Sequence, residues 1–151
     1  MIKPSRKLLF AIEAVLDIAY HSGGQPVQSH EITRRQGIPR RYLEQTLQHL
    51  VRAGILTGVR GPKGGYRLAR ERRKISVGEI VQVVRAAETA DEAEFYSPAS
   101  NLGSEVIRPL WAELTDEVMA RLSSITLDEL CTRAYQKGVV SEVNQKLDFT
   151  I

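Results

Sequence analysis

"ILTGVRGPKGGYRLAR", residues 55–70, decides how the rest of the chain is read. Two short strand-like runs, "ILTGVR" and "YRLAR", flank "GPKGG", and that order predicts a β-hairpin with a glycine-rich tip. Arg60 and Arg67 stand on either side of the tip and Lys63 lies within it. A glycine hairpin with solvated charges needs no function of its own. What surrounds it changes the reading.

Upstream, "IPRRYLEQTLQHLVRAG" puts Pro39 at a helix start and Gly54 at its end, the favoured asymmetry. Ahead of it, Ser29 is a good N-cap for the short helix "HEITRRQ", which Gly37 stops. The two helices are thus joined by a tight glycine turn. Further back, Leu8, Ile12, Val15 and Ala19, with Leu9 and Leu16 beside them, have the spacing of a buried helix face ending before Gly23-Gly24. Helix, helix, glycine turn, helix and hairpin is the order of a winged helix-turn-helix, a mainly α fold with a small β-hairpin wing.

Downstream, Ser76 and Glu79 form a capping box for "VGEIVQVVRAA". Residues 88–104 are acidic and aperiodic and contain Pro98 and Gly103, so they read as a mobile loop. Ile107, Leu110, Trp111, Leu114, Val118 and Leu122 then mark one stripe of a longer helix, in which Pro109 sits in the first turn or makes a kink. Thr126 and Glu129 form a second capping box before "LDELCTRAYQK", closed by Gly138. The expected organisation is a DNA-binding unit over 1–87, the loop over 88–104, and dimerisation helices with a tail over 105–151.

Charge gives that organisation a partner. The net charge is only +3, yet residues 34–74 hold 12 basic residues against 2 acidic ones, a net of +10. Residues 75–151 hold 6 basic and 13 acidic residues, a net of −7, and residues 1–33 balance at zero. A solvated surface normally mixes its signs, so the middle of the chain is expected to meet a polyanion. Double-stranded DNA is that polyanion for this fold.

At 3.6 residues per turn, Leu43, Leu47 and Leu50 fall on one side of the third helix and Arg41, Gln45, Gln48 and Arg52 on the other. The first set is core. The second has the side chains that read base edges, Arg for guanine and Gln for adenine. Glu44, on the flank, has two readings: acceptor for a cytosine amino group, or surface partner of Gln48 or Arg40. Arg34 and Arg35 are assigned to phosphates, and Arg40 joins the same DNA-binding set. In the wing, Arg60, Lys63 and Arg67 supply charge, while Gly61, Gly64 and Gly65 let the main chain approach phosphates closely.

Other classes find little support in these residues. The apolar start of the chain is interrupted by Glu13 and Asp17, unlike a signal peptide, and no run is long enough to cross a bilayer, so a cytoplasmic protein is expected. The single cysteine, Cys131, excludes an intramolecular disulfide and a multi-cysteine zinc site. No Lys-Ser or Lys-Thr follows the glycines as a nucleotide-binding P-loop requires. No nucleophile, base or metal spacing points to an enzyme, and His21, His30 and His49 are scattered. A winged helix that binds only protein remains an alternative, and it would lack the basic recognition face.

The combination of "YLEQTLQHLVRAGILTGVRGPKGGYRLAR", "ISVGEIVQVV", "PLWAEL" and "SITLDEL" resembles the bacterial winged-helix transcriptional regulators of the IscR, NsrR and CymR family. The resemblance runs from the first helix to about Leu130. It implies a homodimer in which a long helix, about residues 104–123, pairs with its mate and two wings grip a pseudo-palindromic operator. It also implies that Arg41, Glu44 and Gln45 take the family's base-reading positions and Arg60 its minor-groove wing position. A transcriptional repressor is the expected role.

One departure is large. Cluster-bearing members carry three cysteines in the loop before the long helix, and this loop has none. It offers Asp91, Glu92 and Glu94, with Glu105 just beyond, which are poor ligands for an iron–sulfur cluster. No cofactor is therefore expected, and control falls to a small ligand or partner protein acting on residues 88–104, or does not run through this chain at all. Cys131 reads as a small buried hydrophobe, with a redox thiol as the other reading. Trp111 reads as interface core, with the lining of an effector pocket as its alternative.

Overall fold

The computed structural model describes residues 3–88 and 97–143. The elements are α1 (Arg6–His21), α2 (Ser29–Gln36), α3 (Arg40–Arg52), β1 (Leu56–Val59), β2 (Gly65–Leu68), α4 (Val77–Glu88), α5 (Arg108–Ser123) and α6 (Leu127–Gln136). A 3₁₀ turn at Arg72–Lys74 precedes α4, and a π-helical turn at Gly103–Ile107 precedes α5. The mainly helical fold with a hairpin wing is the one expected.

Helix α1 is the central support, packing on α2, α3, α4 and α6. Ser5 caps it by accepting the Leu8 N–H at 3.2 Å. Its buried face is Ala11, Ala14, Val15 and Ile18. That face is turned from the expected stripe, leaving Leu9 exposed.

Gln28, rather than Ser29, precedes α2 as its cap, and its N–H donates to Glu31 Oε2 at 2.9 Å. Gly37 closes the helix at a φ of 66°, in the left-handed region that favours glycine. On α3, Leu43, Leu47 and Leu50 are buried as expected. They join Ile32, Ile38, Ile55, Leu56, Ile75 and Ile80 in one core.

The hairpin is antiparallel with Leu56 opposite Leu68 and Val59 opposite Gly65. An additional bridge ties it to the chain entering α2: Val27 and Tyr66 exchange both backbone hydrogen bonds at 2.8 Å. Two wing glycines have internal reasons to be there. A Cβ on Gly64 would lie 2.2 Å from the Val59 carbonyl oxygen, and one on Gly65 would lie 2.4 Å from that of Val27.

The second half of the chain departs from the expected boundaries. Glu88 ends α4, residues 97–100 are non-helical, and the helical run toward α5 begins at Asn101, inside the expected loop. Ser100 starts that run by accepting the Gly103 N–H on its hydroxyl at 3.2 Å. Asp91, Glu92 and Glu94 lie outside the described residues. Pro109 has no N–H for the carbonyl four residues back, and its ring crowds that carbonyl. The preceding turn widens instead, with the Arg108 N–H reaching Gly103 O five residues back.

Helix α6 returns to the winged unit and does not extend away with α5. Leu127 joins the same core, and backbone bonds from Val77 N to Ile125 O and Leu127 N to Ile75 O, 2.8 and 2.9 Å, stitch its start to that of α4. The start of α6 is therefore packed into the core of the winged unit. Thr126 caps α6, but the Glu129 carboxylate turns to Arg133 instead of completing the expected box. Helix α5 differs from all the others in having no buried residue.

Candidate nucleic-acid interface

Packing of α3 through its leucines turns Arg41, Glu44, Gln45, Gln48 and Arg52 to solvent. The expected base-reading face is thus an outward face. Glu44 pairs with Arg40 one turn earlier at 3.0 Å, so in the free chain it takes the surface-partner role. Such an exposed pair is worth about 0 to 1 kcal/mol and would yield readily to a stronger partner.

The wing stands beside this face and is held there. Gln28 at the start of α2 donates from its side-chain nitrogen to the Pro62 carbonyl at 3.2 Å, and the Val27 bridge holds β2 at Tyr66, close to the turn. Arg60, Gly61 and Lys63 form its exposed tip, with Arg67 exposed on β2. The positioning role of Gln28 was not visible in the sequence, because its partner lies 34 residues away. Gly64 is buried at the neck of the turn, where a side chain would collide with the Val59 carbonyl.

The 12 cations of residues 34–74 divide into two groups. Arg34, Arg35, Arg40, Arg70, Arg72 and Arg73 are held in ion pairs. Arg41, Arg52, Arg60, Lys63, Arg67 and Lys74 make no ion pair among the described residues. Five of these six lie on α3 and the wing. Within residues 34–74, the charge left for an outside partner is concentrated on those two elements.

Arg35 corrects the sequence reading. Its guanidinium, 9% exposed, forks onto both oxygens of the fully buried Asp17 carboxylate at 2.7 and 2.8 Å and reaches Glu142 at 2.7 Å. Asp17 also accepts from the Gln36 amide at 2.7 Å, and its hydrogen bond holds the Arg35 guanidinium more firmly protonated. Breaking a buried pair from one side costs about 3 to 5 kcal/mol, so a phosphate would have to displace Asp17 at that cost to engage Arg35. Its role is to join α1 to α2. Arg34 keeps much of its surface exposed and pairs with Glu142 at 3.0 Å.

Glu142 belongs to a short stretch that crosses back over α1 after α6. Tyr20 donates its hydroxyl to the Val139 carbonyl, Ser141 donates to the Tyr20 carbonyl at 2.9 Å, and the Glu142 N–H donates to His21 Nδ1 at 3.1 Å. Accepting that bond requires an unprotonated His21, and burial lowers its pKa against the pull of Asp17 and Glu142. Sequence order alone carried no sign of this strap.

Cys131 is 3% exposed on α6, and burial pushes its thiol pKa up despite the Arg72 guanidinium beside it. A protonated, enclosed thiol is a poor nucleophile and a poor metal ligand. It fits the reading as a small core residue.

An outward polar helix beside an anchored basic wing defines a DNA-binding protein of the winged helix-turn-helix class. Comparison with known proteins narrows the class: the family model described as "Rrf2: Iron-dependent Transcriptional regulator" matches residues 4–133. The HTH-type transcriptional regulator IscR of Vibrio atlanticus (strain LGP32) is 38% identical over 152 residues, covering 99% of this chain and 84% of the relative. Among solved structures, T. potens IscR superposes with a TM-score of 0.72 at 34% identity, covering 92% of this chain and 93% of its own. CymR, the global cysteine regulator of B. subtilis, gives 0.68 at 28% identity, covering 88% and 98%. The chain belongs to the Rrf2 family and is a DNA-binding transcriptional regulator, not an enzyme. No helix among the described residues is long and apolar enough to cross a membrane.

Proposed function

We propose that the chain acts as a homodimeric, cytoplasmic repressor that reads a pseudo-palindromic operator with α3 and the wing. The observation that carries this reading is the coincidence of unpaired cations with hydrogen-bonding side chains on one exposed surface. Arg41, Gln45 and Gln48 read base edges, with Glu44 joining them once Arg40 turns to a phosphate. Arg60 enters the minor groove, and Lys63, Arg67 and Arg52 meet the backbone. Arg34 is the remaining phosphate candidate on α2.

Dimerisation is supported by α5. Ile107, Leu110, Trp111, Leu114 and Val118 are exposed along it, with Leu122 half-buried, and a stripe of that size is unfavourable in water. A second copy would cover it and place two reading helices on successive half-sites. Any small-molecule or protein effector would act by favouring one dimer arrangement over another.

We also infer that this member carries no conventional iron–sulfur cluster. Such clusters are normally held by several thiolates, and this chain has one cysteine, enclosed in the core with its thiol favoured. Anaerobically purified protein is expected to be colourless. Stoichiometric iron and sulfide with a visible absorption band would sink the inference.

The main reading is tested by selecting a binding site on purified protein and titrating variants against it. Arg41→Ala and Gln45→Ala should each weaken specific binding by about 1 to 3 kcal/mol and relax base preference, while Lys63→Ala weakens all sequences alike. Unchanged specificity in both α3 variants would remove α3 from the groove.

A further inference from the structure

Residues 1–33 balance at zero charge, yet their three cations, Lys3, Arg6 and Lys7, all precede their three acids, Glu13, Asp17 and Glu31. The balance therefore conceals a cationic patch at one end of α1. Folding brings that end to the reading helix. Lys7 lines the same shallow groove as Tyr42, Gln45, Thr46 and His49 of α3, with Val83, Val84, Ala87 and Glu88 of α4 on the other side.

Lys3, Arg6 and Lys7 are exposed and make no ion pair among the described residues. The acid at the groove, Glu88, instead accepts the Ser5 hydroxyl at 3.0 Å. That bond ties the start of α1 to the end of α4, while packing of α1 on α3 sets the patch against the reading helix. The patch is continuous with the Gln45 edge of the interface.

We propose that Lys7 and Arg6 form an additional contact to duplex DNA, binding backbone phosphates that flank the bases read by α3. This rests on α3 being the reading helix. A helix seated in a major groove about 12 Å wide has phosphates along both of its sides. The wing serves one flank of the reading surface, and the α1 patch extends it on another. Lys7 and Arg6 contribute affinity and orientation without reading sequence, as phosphate contacts do.

The experiment measures operator and random-sequence binding by full-length protein between 50 and 200 mM salt. Each lost phosphate contact should flatten the plot of log affinity against log salt by about 0.9, equivalent to about a 3.5-fold smaller loss of affinity across that range. The double variant Arg6→Gln/Lys7→Gln should show up to twice that change, with the operator-to-random ratio kept. Lys7→Ala should show a single step and Lys7→Arg should retain the wild-type slope. Circular dichroism checks that the variants fold, and the exposed single variant Lys7→Ala keeps the test open if the double one does not. A wild-type slope in Lys7→Ala and the double variant would overturn the proposal, as would a loss of operator preference with an unchanged slope. Absence of operator binding by the unaltered protein would instead overturn the reading of α3, so the two failures are distinguishable.

Discussion

Arg35 and Arg34 are neighbours on α2 with the same charge and different fates. Arg35 faces α1, where Asp17 is buried and can only be satisfied by a fork of donors, whereas Arg34 faces outward with Glu142 alone. Charge counting treats them alike, and burial separates them. Glu142 and His21 also make acid a probe of the strap. Burial lowers the folded-state pKa of His21 from its ordinary 6.5, so below that pH the unfolded chain binds the proton more readily and stability falls. At Glu142, burial raises the pKa but Arg34 and Arg35 outweigh it, leaving it below the ordinary 4.5 and adding a second loss at lower pH. Urea denaturation followed from pH 8 to pH 4 should show the first decline beginning near 6.5, and His21→Gln should flatten it. A His21→Gln profile matching the wild type would remove the assignment.

The wing illustrates how an element's sequence can be legible while its reason is not. Three glycines at a basic hairpin tip suggest close approach to DNA, and Gly61, exposed with a φ of 109°, remains compatible with it. Gly64 answers to the fold instead, because any side chain there collides with the Val59 carbonyl. Gly64→Ala should therefore distort the hairpin and weaken binding to operator and random DNA alike, while far-UV circular dichroism keeps its helical signal. A variant that binds DNA as the wild type does would show that the turn relaxes around the methyl group. Helix starts were legible for a related reason: Ser76 accepts the Glu79 N–H at 3.2 Å and Glu79 accepts the Ser76 N–H at 2.9 Å. A capping box is a contact within four residues, so sequence spacing contains it.

Across the whole molecule, the largest imbalance is between the sealed core around α1 and the bare apolar side of α5. Half of the Trp111 surface is exposed, although tryptophan has more apolar area to hide than any other residue here. If α5 forms the proposed dimer seam, Leu114→Asp should place a charge in it, and sedimentation should find single chains for the variant and paired ones for the wild type. Operator affinity should fall with it, since each chain would read one half-site. A dimer that survives both Leu114→Asp and Trp111→Asp would put the interface elsewhere.

Local chemistry determines most of the fold. The leucine face of α3, the glycine turn at Gly37, the hairpin and the capping box of α4 each depend on residues within one or two helical turns, where spacing is geometry. The outward face of α3 followed by elimination, because burying Leu43, Leu47 and Leu50 leaves Arg41, Gln45 and Gln48 no other direction. Only tertiary structure decided which cations stay outside ion pairs, which side of α1 is sealed, how Gln28 steadies the wing, and that α6 returns to the core. Those outcomes depend on partners such as Asp17 for Arg35 and Glu142 for Arg34, 18 and 108 residues away, whose meeting is set by packing. Charge and periodicity name the candidates; burial, which depends on the whole chain, assigns them.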